Sequence, residues 1–146
     1  MKETSVNIFY ADDDLDDREF FESAVRDVSD SFNLITHSDG NQLIDMLLNP
    51  PPFPNILFLD LNMPIKNGFE VLKEIRQSEQ TKDIPVIVFS TSDDAQAINT
   101  TRELGANLYV PKPNTYTGLK KVIMHSMSID WSMFSPSVDQ FVYRVK

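Results

Sequence analysis

Short apolar runs alternate along this chain with stretches whose apolar residues recur at helical spacing. Val6–Ala11 reads as a first strand. Asp14 then offers a side-chain oxygen as a helix N-cap, and Phe20, Phe21, Ala24, Val25 and Val28 follow at helical intervals. A short second strand is expected over 32–36 and a second helix over 39–48, through Leu43, Ile44, Leu47 and Leu48. Pro50-Pro51-Pro52-Phe53-Pro54 cannot continue that helix and makes a stiff connector. Residues 55–59 form a third strand, apolar on both faces and therefore central. The series continues with a helix over 68–77, a strand over 85–89 and a weakly apolar helix over 93–104. A short strand over 108–110 and a closing helix over 115–129 complete it, with no internal repeat.

Alternation of this kind predicts an α/β fold, a doubly wound five-stranded parallel sheet with helices on both faces. Right-handed crossovers narrow the topology, and the expected strand order is the flavodoxin-like 2-1-3-4-5. Ligands of such sheets bind at the carboxyl ends of the strands, where the first and third lie side by side. Asp12, Asp13 and Asp14 follow the first strand, Asp60 the third, Ser90 the fourth and Lys112 the fifth. Carboxylates crowded at one edge repel unless protons or a cation neutralise them, and oxygen-rich clusters suit Mg²⁺. Asp60 is then a candidate nucleophile, since a carboxylate can form an aspartyl-phosphate. A metal and Lys112 supply the charge neutralisation on which phosphoryl transfer depends, and Ser90 can bond a phosphoryl oxygen. A flavin mononucleotide or nucleotide site needs glycine and hydroxyl residues after the first strand, and the acids found there argue against both.

Bulk properties narrow the choice further. At 146 residues, 41% hydrophobic and 24% charged, the chain fits one ordinary globular domain with a real core. A net charge of −9 repels a phosphate backbone, so nucleic-acid binding is not expected. Without cysteine there are no disulfides, thiolate metal sites or cysteine nucleophiles. The first residues lack a signal-peptide core and no apolar run is long enough to span a bilayer, so a cytoplasmic protein without membrane contact is expected.

Five segments together resemble the receiver domain of bacterial response regulators, in the single-domain, chemotaxis-regulator-like form. They are Tyr10-Ala11-Asp12-Asp13-Asp14, Phe58-Leu59-Asp60-Leu61-Asn62-Met63-Pro64, Asn67-Gly68-Phe69-Glu70-Val71-Leu72, Val88-Phe89-Ser90-Thr91 and Tyr109-Val110-Pro111-Lys112-Pro113. The resemblance implies a receiver over residues 1–130 and leaves 131–146 as a C-terminal extension without a family assignment. It implies that Asp60 is the phosphoacceptor. Asp12, Asp13 and Asp60, with the backbone carbonyl of Asn62, would hold Mg²⁺. Ser90 and Lys112 would complete the catalytic set, and Tyr109 would be the aromatic switch. Asn62 and Ser92 stand where the family tunes dephosphorylation. Lys112-Pro113 corresponds to a bond that is typically cis in receivers. The donor would be a histidine kinase or phosphotransfer protein and the output an unidentified downstream protein. Phosphorylation would draw in the loop after the fourth strand, bury Tyr109 and remodel the face from Asp93 to Ile129. This is a signalling module, with self-phosphorylation and self-dephosphorylation as its chemistry.

Plainer readings stand beside these. Asp14 is expected to cap the first helix, and Asp16 and Asp17 to be solvated first-turn acids favoured by the helix dipole. Tyr109 reads as a switch or as a fixed half-buried aromatic. Phe141, Tyr143 and Val145 alternate in a tail that suits an added strand, a dimer contact or a loose end. A haloacid-dehalogenase-like phosphatase would use Asp12-Asp13-Asp14 as its Asp-x-Asp, but acids are missing after Lys112 and Asp60 is left without a role. A receiver kept as a constitutive, non-phosphorylated adaptor is the third reading.

Overall fold

A computed structural model of the chain describes residues 6–134, 137 and 140–145. The parts of the expectations that fall on residues 1–5, 135, 136, 138, 139 and 146 lie outside it. The elements run β1 (Val6–Ala11), α1 (Leu15–Val28), β2 (Phe32–His37), α2 (Gly40–Leu47), β3 (Ile56–Leu59) and α3 (Gly68–Gln77). They continue with β4 (Val86–Ser90), α4 (Ala95–Glu103), β5 (Leu108–Pro111) and α5 (Tyr116–Ser128). All five strands are parallel, in the order β2-β1-β3-β4-β5. The fold expected from the alternation is the one observed.

Helix starts shift by a residue or two for a local reason. Asp39, Asp94 and Thr115, expected inside their helices, are N-caps, with extended backbone and side chains that accept the third following N–H. Asp14 caps α1 as expected, accepting from the Asp17 N–H. Asn67 and Glu70 close a reciprocal capping box on α3.

Strand residues alternate between two cores, as a pleated sheet requires. Ile8, Tyr10, Phe58, Ile87 and Phe89 face Phe21 and Val25 of α1 and Leu119, Val122 and Ile123 of α5. Phe9, Ala11, Leu57, Leu59 and Val86 face Leu43 and Leu47 of α2 and Val71, Leu72 and Ile75 of α3. A smaller cluster joins Leu61, Val88, Ala97, Tyr109 and Phe141.

The segment after α5 folds back onto the sheet. The Trp131 indole donates to the Ser126 carbonyl at 3.1 Å. Residues 141–143 then run parallel to the outer edge of β5. The Tyr109 N–H donates to the Phe141 carbonyl, and the Tyr143 N–H to the Tyr109 carbonyl, both at 2.9 Å. Phe141 is 1% exposed, and the Tyr143 ring stacks on His125 with centroids 3.8 Å apart. Among the described residues no helix is long and apolar enough to cross a membrane.

Candidate functional site

The carboxyl ends of β1, β3, β4 and β5 place the polar groups. Asp60 leaves β3 with its N–H bonded to the Ala11 carbonyl at 3.0 Å, which ties it to the end of β1. Gly68 opens α3 hard against this turn. Its N–H donates to the Leu61 carbonyl at 3.0 Å, and a Cβ there would collide with the backbone of Asp60 and Leu61. Glycine at 68 therefore lets the helix pin the Asp60 loop.

Asp12, Asp13 and Asp60 each bring a carboxylate oxygen within 4.8 Å of the others. Asp12 and Asp60 are buried and Asp13 is exposed, so the cluster opens to solvent on one side. An all-oxygen set of this size fits a hard divalent cation. The Asp60 carboxyl is pushed up from 3.8 to about 7. Burial is the main cause and the Asp12 charge adds to it, while Lys112 and the N–H groups of Asn62 and Leu61 oppose it.

Lys112 crosses from β5 into this cluster. Its Nζ lies 2.6 Å from Asp12 Oδ2, 2.9 Å from Asp17 Oδ2 and 3.9 Å from Asp60 Oδ1. Burial alone would lower its proton affinity, but bonds to Asp12 and Asp17 and the Asp60 charge outweigh it and hold the ammonium. Ser90, fully buried at the end of β4, accepts from the Ser92 N–H at 3.2 Å, and its carbonyl accepts from the Lys112 N–H at 2.8 Å.

Three expectations need correction here. Asp17 is not simply a solvated first-turn acid, because its carboxylate bonds Lys112 across the fold. Among the described residues the cis peptides are Pro50-Pro51 and Pro51-Pro52, and Lys112-Pro113 is not one of them. The two X–Pro isomers differ by only about 0.5–1 kcal/mol, so a motif position does not by itself determine which one forms. Tyr109 is already buried at 0% exposure, its hydroxyl 2.5 Å from the Ser92 carbonyl and its ring against Phe141. Burial of this ring on phosphorylation therefore has no exposed starting point in this structure. Asp14, the second acid of the phosphatase-like Asp-x-Asp, is spent as a helix cap.

Two residues to which the motifs assign no role belong to the site. Tyr10, buried in β1, donates its hydroxyl to Asp12 Oδ2 at 2.6 Å. Burial, then the Asp12 charge, pushes the phenol far above its ordinary range, so it stays protonated. Arg18 donates to the Asp12 carbonyl at 2.7 Å. Tyr10 could have been found, since residues i and i+2 of a strand share a face.

A model of the response regulator receiver domain matches residues 8–124. The chain belongs to this family. Receivers of two-component systems are signalling modules rather than classical enzymes, and they work with histidine kinases or phosphotransfer proteins. Response regulator Rcp1 of Synechocystis is 42% identical over 72 residues, 49% of either chain. Two-component response regulator ARR17 of Arabidopsis thaliana is 26% identical over 86% of this chain and 88% of its own. Against the first curated relatives the matched stretch spans half or less of Rcp1 and about half of RR06 of Streptococcus pneumoniae. Among solved structures, the Mn²⁺-bound form of Rcp1 superposes with a TM-score of 0.76 at 29% identity, covering 90% of this chain and 99% of that one. The phosphorylated cyanobacterial phytochrome response regulator RcpA gives 0.77 at 27%, covering 90% and 97%.

Proposed function

We propose that this receiver is a phosphorylation-controlled interaction module of a two-component system, acting in the cytoplasm with Asp60 as its phosphoacceptor. The observation that carries the reading is the meeting of three carboxylates within 4.8 Å with a lysine ammonium 3.9 Å from Asp60. An Asp60 oxygen attacks the phosphorus of a phosphohistidine on a histidine kinase or phosphotransfer protein. The new P–O bond forms as the P–N bond breaks, and the imidazole leaves with the bonding pair and takes a proton. Asp12, Asp13 and Asp60, with the Asn62 carbonyl, are the residues that would hold Mg²⁺. That cation would supply the positive charge that keeps Asp60 ionised and balances the phosphoryl oxygens.

Lys112 is already paired with Asp12 and Asp17, so it serves the incoming charge by moving about 1 Å toward Asp60, from 3.9 Å to hydrogen-bond distance. The Ser90 hydroxyl, whose oxygen accepts from the Ser92 N–H, would turn its proton to a phosphoryl oxygen. Movement of the 90–94 loop then reaches Tyr109 through the Ser92 carbonyl, and the face from Asp93 to Ile129 carries the signal to a downstream protein. The segment over 131–146 is an extension of the receiver of 1–130. The Mn²⁺ of Rcp1 and the phosphorylated state of RcpA support both parts of the reading.

Intact-protein mass after incubation with acetyl phosphate and Mg²⁺ tests it. Wild type should gain one Mg²⁺-dependent phosphoryl group and Asp60→Asn none. A wild type that stays unlabelled while binding Mg²⁺, or an Asp60→Asn that still labels, would sink the assignment.

A further inference from the structure

Every polar atom of Asp12 is engaged by a different part of the chain. Its N–H donates to the His37 carbonyl at 3.0 Å, and its carbonyl accepts from Arg18. Oδ1 accepts from the Asp14 N–H at 3.0 Å. Oδ2 accepts both the Tyr10 hydroxyl and Lys112 Nζ, each at 2.6 Å. A carboxylate has about four acceptor sites, two on each oxygen. Three are filled, which leaves one, on Oδ1.

We infer that Tyr10 is a positioning residue for the cation site, holding the Asp12 carboxylate so that a single oxygen, Oδ1, remains to serve the metal directly or through water. This rests on the cation reading of the cluster. Tyr10 suits the task because it is rigid: its ring is fully buried and stacked on Phe21 with centroids 4.2 Å apart. Lys112 cannot take over, because it is shared with Asp17 and must turn to the phosphoryl group, whereas the neutral phenol has no competing partner. Removing a hydrogen-bond partner that orients a metal ligand commonly weakens metal affinity about ten- to a hundredfold.

Tyr10→Phe tests this, since phenylalanine keeps the ring stack and removes only the donor. Calorimetric titration of the full chain with MgCl₂ should show a dissociation constant raised about tenfold. The Mg²⁺ concentration for half-maximal labelling by acetyl phosphate should rise in the same ratio. A purely structural role would lower the melting temperature and leave both Mg²⁺ midpoints where they were. Wild type and Tyr10→Phe binding Mg²⁺ equally would overturn the inference and leave the phosphoacceptor reading intact. A folded wild type that binds no Mg²⁺ would overturn both.

Discussion

Asp60 sits where a carboxylate is costly, and the sign of that cost can be measured. Its folded-state pKa, about 7, lies above the ordinary 3.8, so the fold favours the protonated form. The contribution of Asp60 to stability is therefore complete below about pH 3.8 and is lost as pH rises through about 7. A tenfold change in proton affinity is worth about 1.36 kcal/mol, so the loss amounts to a few kcal/mol. In EDTA, Asp60→Asn should be more stable than wild type at pH 7.5, with the gap closing toward pH 4, as read by urea unfolding. A gap that does not change with pH would refute this. At this scale the acids, Ser90 and Lys112 were legible because each sits just past an apolar run. The role of Tyr10 is hidden in the sequence because an aromatic in a strand reads as core. The bond from Asp17 to Lys112 joins residues 95 positions apart, which no local pattern encodes.

Elements were legible wherever their signals are local. The cap at Asp14 and the period of α3 act within four residues, and both appear where expected. The tail was open among three readings, because Phe141, Tyr143 and Val145 do not say what they alternate against. Pairing with Tyr109 decides it: Phe141 turns into the cluster of Leu61, Val88 and Ala97, and Tyr143 lies over His125. Phe141→Ala removes a fully buried ring, and losses at such sites run about 3–5 kcal/mol. Thermal unfolding should show a fall near the lower end of that range. A fall below about 1 kcal/mol would mean that the tail does not hold this position in solution.

At the scale of the whole molecule, a net charge of −9 is partly concentrated in the carboxylates around the site. A cation held there relieves repulsion in the folded state alone, and a ligand at about a hundred times its dissociation constant stabilises by about 2.7 kcal/mol. Mg²⁺ should therefore raise the melting temperature over that in EDTA, and Asp13→Asn, which alters only an exposed carboxylate, should remove most of the rise. An equal rise in both proteins would place the effect elsewhere on the surface. The sheet order was legible at this scale because crossover handedness leaves few ways to wind five βα units.

The two margins of the sheet differ. Alternate residues of an edge strand turn their backbone groups outward, and Pro111 has no N–H to offer. Tyr109 thus carries the outward-facing N–H of β5 and an outward carbonyl, and residues 141–143 occupy both. Unpaired margins are templates for the strands of other copies. A strand of another copy that sought the outward groups of Tyr109 would therefore first have to displace the chain's own residues 141–143.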